Sequence, residues 1–293
     1  MRDLGVNPLN QDRKSSLRQY GMVFGLGILT SLLFFLPFLI WDKGYFVYYG
    51  DFNVQQIPFY WMCHDSIRSG NVLWNWYTDM GANFVGSYAF YLLGSPYFWL
   101  TMLFPSGAVP YLMAPLLMLK FATASVTGYA YIRRFVREPN YAVIGALLYA
   151  FSGYSIYNVF FNHFHEVIAF FPLLLVGMEE FMINGRRGVF AVAVGLCAVV
   201  NYYFFFGEVV FCVLYFIIRA VYDRKNPRGF HVTWSRFLLL ALEAVLGLLL
   251  SAVMLVPGLL AILGNPRTSQ FLFGWNGIFY GNVQRYGLII SSF

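Results

Sequence analysis

The sequence predicts an all-α polytopic membrane protein of about seven transmembrane helices, with a large first extracellular loop carrying amphipathic interfacial helices. Three observations predict it. Hydrophobic residues fill 59% of the 293 positions and charged ones only 11%, whereas a soluble globule carries roughly 25% charged residues. So few charges cannot cover a water-facing surface. The apolar positions fall in runs of about 20, the length that crosses a bilayer as a helix, and they lack the strict alternation of barrel strands. The basic residues sit between those runs with a bias toward one side.

In chain order, residues 1–19 are polar and basic and form a cytoplasmic N-terminus. Positions 20–41 supply the first span. Arg13, Lys14 and Arg18 precede it, and Pro37-Phe38-Leu39-Ile40-Trp41 stands where small residues would mark a cleavage site, so it stays as a signal anchor. Residues 42–108 form the first outer loop, in which Asp42, Lys43, Asp51, Asp65, Arg68 and Asp79 interleave with Trp61, Trp74 and Trp76. That mixture suits amphipathic helices at headgroup level. Within it, 86–105 is apolar but broken by Gly94-Ser95-Pro96 and closed by Pro105-Ser106-Gly107. If it spanned, the next run would deliver Arg133, Arg134 and Arg137 outside, against the positive-inside bias, so 86–105 is interfacial or re-entrant.

The remaining spans are 109–132, 141–159, 167–183, 188–205, 208–222 and 237–263. This layout places fourteen of the nineteen Lys and Arg residues inside, with Lys43, Arg68, Arg267 and Arg285 outside and Lys120 within a span. It predicts a multi-pass plasma-membrane protein with a cytoplasmic N-terminus, a transmembrane module over 20–263 and an extracellular tail over 264–293. The tail is turn-rich and ends without a closing element, as the edge of a fragment would. The net charge of +6 is scattered in short clusters and forms no stripe, which excludes nucleic acid as a partner. Cys63, Cys197 and Cys212 are an odd number without ligand spacing, so neither a disulfide framework nor a metal finger is expected. No internal repeat marks a two-halved transporter.

The chemistry-bearing residues converge on the outer turns. Asp51 and Gln55 stand four apart beside Phe52, Ile57, Phe59, Tyr60 and Trp61, which puts a carboxylate and an amide on one face of an interfacial helix. Asp51 either caps that helix or acts as a general base. His163, His165 and Glu166 share the turn after the third span. They either bind a metal, for which the spacing matches no zinc signature, or orient a sugar or phosphate. Asn201, Tyr202 and Glu208 bracket a later outer turn. Tyr202 belongs either to an aromatic belt or to a cavity wall, and Glu208 either to a helix N-terminus or to that same cavity. Lys120, mid-span, pairs with Glu243, meets an anionic substrate or snorkels. Arg267 completes the set as a cation able to stabilise a leaving phosphate. No metal and no cofactor is required by these residues.

Several motifs resemble the YfhO family of bacterial membrane proteins: Gly50-Asp51-x-x-x-Gln55, Trp74-Asn75-Trp76, Gly81-x-Asn83-Phe84, Tyr91-x-x-x-Ser95-Pro96, Phe151-Ser152-Gly153-Tyr154, Asn162-His163 with Phe171-Pro172-Leu173, and Asn201-Tyr202-Tyr203. The resemblance covers most of the chain in order. It implies a GT-C-like glycosyltransferase whose first outer loop carries the catalytic acid residue. Such an enzyme uses a polyprenyl-phosphate-linked sugar, made by a partner enzyme, and modifies an envelope polymer such as lipoteichoic acid. Asp51 then corresponds to the acidic position, Gln55 orients a substrate, and His163 lies in the second outer loop beside the same cavity. Family members are longer, which marks this chain as an N-terminal module, and His165-Glu166 departs from the family's more apolar pair followed by Asp. Two other functions compete: a lipid-linked sugar flippase using Lys120 and Glu243, and a non-catalytic module.

Overall fold

The computed structural model describes residues 8–225, 229–230 and 232–264. Arg267 and the 265–293 tail lie outside the described residues. The bundle is built around α5 (Val109–Ile132), most of whose side chains are buried between α1 (Pro8–Trp41), α6 (Pro139–Ala150) and α8 (Phe164–Asn184), the last two joined through the short α7 (Gly153–Tyr157). Small residues set these approaches, since a side chain at the crossing would hold the backbones apart. A Cβ on Gly27 would come within 2.8 Å of the Ala122 Cα, which fixes how closely α1 lies on α5. From α8 the packing continues to α9 (Val189–Val200) and then to α11 (Trp234–Leu250), while α10 (Tyr202–Lys225) lies outside them with most of its surface exposed.

Seven crossings are expected from the sequence. Among the described residues, four helical stretches are long and apolar enough to cross a membrane: Ser16–Trp41, Ser106–Ile132, Pro139–Phe160 and Tyr202–Asp223. A fifth is made if α11 and α12 (Ala252–Leu263) count as one span, though they bend by 72° at their junction. The differences have local causes. The expected span at 188–205 is broken at Asn201, whose extended backbone stops α9 after 12 residues, roughly 18 Å of rise against a hydrocarbon core of about 30 Å. α8 is 21 residues long but carries Glu166, Glu179 and Glu180, all buried. α12 turns back to lie on the loop helix α3 (Phe84–Tyr88), where a Cβ on Gly86 would come within 2.8 Å of the Ala261 Cβ.

The segment 42–108 contains no long helix. A π-helical turn at Phe52–Gln56 runs into α2 (Ile57–Arg68), and a two-residue hairpin pairs β1 (Trp74–Asn75) with β2 (Ala82–Asn83), Trp74 opposite Asn83. After α3 come a second π turn at Ala89–Leu93 and the short α4 (Pro96–Leu100), capped by the Ser95 hydroxyl. The breakers Gly94-Ser95-Pro96 thus interrupt this stretch where the sequence places them. At the opposite end of the bundle, Arg134 and Arg186 pair with Glu180, and Arg219 meets Glu179 at 2.6 Å. One end of the bundle is therefore lined with arginine and the other carries the loop.

Candidate functional site

Each polar residue at the loop end is placed by a different element. Asp51 opens the Phe52–Gln56 turn, where the Ile57 N–H reaches back to the Phe52 carbonyl, five residues away. That wider turn adds a residue per loop relative to an α-helix and changes which residue faces inward. Gln55 stays part-exposed beside a part-exposed Asp51, while Gln56 turns into the protein and is buried. The Asp51 side chain makes no capping hydrogen bond, so the cap reading finds no support in its geometry. Its charge acts instead on Tyr91, whose phenol is held above its usual range by burial and then by Asp51.

The Tyr91 ring packs edge-on against His163 at 5.2 Å, and Phe90 covers the same imidazole at 4.8 Å. His163 directs Nδ1 at the Gln56 amide oxygen, 3.2 Å away, while its Nε2 and the Gln56 Nε2 make no hydrogen bond within the protein. Burial, then the neighbouring Lys120 and His165, push its pKa down to about 3, so the ring is neutral. Tyr202 stands on the far side of Phe90, with ring centroids 6.1 Å apart. Tyr91, His163, Phe90 and Tyr202 thus form one continuous wall, and the Asp51 charge is felt at its Tyr91 edge.

Beneath that wall lies a charge pair. The Lys120 ammonium is 2.7 Å from Glu166 Oε1, with neither side chain exposed. It also donates to Asn162 Oδ1 at 2.8 Å and to the Asn162 carbonyl at 3.0 Å. An ammonium has three donors, and all three are taken. The Ser95 hydroxyl adds a bond to the same Glu166 oxygen at 2.5 Å, and the rings of Tyr60 and Tyr97 stand 6.0 and 5.5 Å from the Lys120 nitrogen. One ion pair therefore ties α5, α8, α2 and the Ser95 turn together.

Lys120 pairs with Glu166 in place of Glu243. Glu243 instead accepts from the backbone N–H groups of Gly188 at 2.7 Å and Ala191 at 3.2 Å, capping α9 from α11. Nor do His163, His165 and Glu166 converge: His165 Nε2 donates to the Ser155 carbonyl at 2.8 Å, and the other two have the partners just given. Among the described residues no group of three His, Cys, Asp or Glu side chains is arranged to hold a metal ion. Glu208 lies in the second turn of α10, which begins six residues earlier than the sequence suggests, so it is no N-terminal helix charge. It faces a separate cavity bounded by Tyr149, Tyr154 and Phe171, which neither Asp51 nor His163 lines. Gln56, Ser95, Tyr60 and Tyr97 were not among the candidate site residues read from the sequence, though Ser95 stood there as a breaker and a motif position and Tyr60 as an apolar neighbour of Asp51. The signal for Ser95 was a serine before proline in an apolar stretch, which marks a cap as well as a turn.

A helical bundle with several apolar spans and a buried charge pair under an aromatic wall defines a polytopic membrane protein with a built-up centre at one end. The chain belongs to the YfhO family: the family described as "Bacterial membrane protein YfhO" matches residues 23–280. It is 25% identical over 271 residues to the uncharacterized protein YfhO of Bacillus subtilis (strain 168), an alignment covering 85% of this chain and 31% of that relative. The chain therefore spans about a third of the relative's length. No solved structure matches it.

Proposed function

We propose that the chain is the membrane-embedded donor-side module of a GT-C-like glycosyltransferase, moving a sugar from a polyprenyl phosphate to an envelope polymer such as lipoteichoic acid. The observation that carries this reading is Asp51 itself: an uncapped, part-exposed carboxylate whose charge acts on Tyr91, the ring that packs on His163, where His163 and Gln56 hold unpaired nitrogens. A base that deprotonates an acceptor hydroxyl needs both access and freedom from a fixed partner. In the transfer, the acceptor oxygen bonds to the anomeric carbon as the carbon–phosphate oxygen bond breaks. The hydroxyl proton passes to Asp51, and polyprenyl phosphate leaves.

His163 and Gln56 contact the sugar or phosphate, with Gln55, Tyr91 and Tyr202 at the rim. Lys120, Glu166 and His165 hold the floor in place. Arg267 is kept as the candidate cation for the phosphate. The Asp51 loop faces outside, the arginine end and N-terminus face the cytoplasm, and a partner enzyme supplies the lipid-linked sugar. The flippase reading loses its support, because Lys120 and Glu243 are both committed to partners within the protein.

Asp51→Asn tests the assignment in membranes supplied with a polyprenyl-phosphate sugar and acceptor. Transfer falls by about 10²–10⁴-fold with unchanged membrane insertion, and unaltered turnover removes Asp51 from the chemistry. Labelling of a cysteine placed at Asn53, by a reagent that cannot cross the membrane, tests the orientation. Labelling only after the membrane is opened would put the loop on the wrong side for an envelope acceptor.

A further inference from the structure

Glu208 is the buried carboxylate, among the described residues, that meets neither a cation nor a backbone N–H. It is only 7% exposed, its Oε2 makes no hydrogen bond, and among the described residues no Lys, Arg or His forms an ion pair with it. The Cys197 thiol donates a weak hydrogen bond to it and the Cys212 thiol lies near, and neither supplies positive charge. The other buried carboxylates show the contrast: Glu166 has Lys120, Glu179 has Arg219, Glu180 has Arg134, Glu243 caps a helix, and Asp223 accepts from the Phe230 N–H. A carboxylate inside a membrane bundle is costly unless something pairs with it.

What lies in front of Glu208 is an opening of about 280 Å³ walled by Tyr149, Tyr154, Phe171, Phe204 and Phe211. The Tyr149 hydroxyl is spent on the Ile168 carbonyl at 2.7 Å, so that tyrosine lines the cavity with its ring. Aromatic faces and a carboxylate around one space attract an organic cation from both sides, through ring quadrupoles and through charge. The mouth is on the bundle's outer surface, since Tyr154 and Phe211 are each about half exposed there. Glu208 stands six residues from the start of α10, a depth of roughly 9 Å. Glu208 thus lies toward one end of this candidate span, where lipid headgroups are found, and away from its middle.

We infer that the Glu208 cavity binds the primary ammonium headgroup of a membrane lipid, with the ammonium donating to the carboxylate and resting against the aromatic walls. The site is distinct from the His163 wall and independent of the transferase reading. It gives the bundle a fixed lipid between α6, α8 and α10.

The test uses the full chain purified in detergent and incubated with an equimolar mixture of phosphatidylethanolamine and phosphatidylglycerol, with retained lipid counted by native mass spectrometry. The wild type retains the ethanolamine lipid over the glycerol lipid by about tenfold, Glu208→Gln abolishes the preference, and Tyr154→Ala reduces it several-fold. Equal retention of both lipids by the wild type overturns the inference, as does a preference that survives Glu208→Gln. Should Glu208→Gln not survive purification, Tyr154→Ala decides, because its side chain is half exposed, and an unchanged preference then refutes the site. Displacement of the bound lipid by free ethanolamine at equal concentration also overturns the lipid assignment, since a soluble amine would then suffice.

Discussion

Lys120 of α5 and Glu166 of the first turn of α8 meet at 2.7 Å with both side chains fully buried, and the ammonium has no donor left over. Removing one partner of such a pair strands the other charge, at a cost of about 3–5 kcal/mol. Lys120→Met is therefore expected to destabilise the protein by about that amount in a detergent unfolding titration. Lys120→Met combined with Glu166→Gln should cost clearly less than the two single changes added. Simple additivity would mean that the two groups do not hold each other.

His163 gives the loop end a pH dependence. Its pKa lies near 3 in the folded protein, against about 6.5 for a free histidine. Between those values the unfolded chain takes up a proton that the folded one refuses, so stability is full above pH 6.5 and is lost as pH falls toward 3. The melting temperature of the wild type should drop between pH 7 and pH 5 more steeply than that of His163→Gln. Lys120 and His165, which face the ring, are common to both proteins. Parallel slopes would show that His163 is accessible and protonates in place.

Glu243 acts at a distance in sequence as the cap of α9, a helix that starts on Gly188 with no side-chain cap of its own. Glu243→Ala leaves two helix N–H groups without acceptors and should cost about 1–3 kcal/mol. Glu243→Gln keeps an acceptor oxygen and should recover part of it. The altered helix start is read by faster amide exchange at Gly188 and Ala191, and unchanged exchange there would assign Glu243 another role.

The bundle was legible because span length and charge bias are properties of composition, and they survive any detail of packing. The broken helical course of 86–105 was legible because breakers act locally. The partner of Lys120 was not legible in the same way. Depth along a helix can be counted, but which of two carboxylates lies across from it depends on rotations set by Gly27 and its like. Gln55 was favoured over Gln56 because the α-helical period was assumed, and a single π turn rotates the inward face by one residue. Glu208 was read at a helix start because α10 begins six residues before its apolar run. Asn201 caps the new helix, its side-chain oxygen accepting from the N–H groups of Tyr203 and Phe204 at 3.2 Å each. That signal, an asparagine before an aromatic run, was present in the sequence.

The joint between the loop and α9 makes the most demanding prediction. Gly94 sits so close to the end of α9 that a Cβ there would lie 1.8 Å from the Val199 carbonyl oxygen and 2.6 Å from its carbon. Both are backbone atoms, so no side-chain rotation relieves the clash. The same joint is held by the Asn201 amide reaching the Phe90 carbonyl at 3.4 Å, and it carries Ser95 onto Glu166. Gly94→Ala must therefore push the 89–96 turn away from α9 and draw Ser95 off the charge pair, costing about 1–3 kcal/mol or more. Gly153→Ala is the control, since nothing lies within 4 Å of its added Cβ. Limited proteolysis in detergent should cut the 86–105 stretch faster in Gly94→Ala and leave Gly153→Ala like the wild type. Equal cleavage in all three proteins would mean that the turn does not rest on α9, and the floor beneath Asp51 would lose one of its supports.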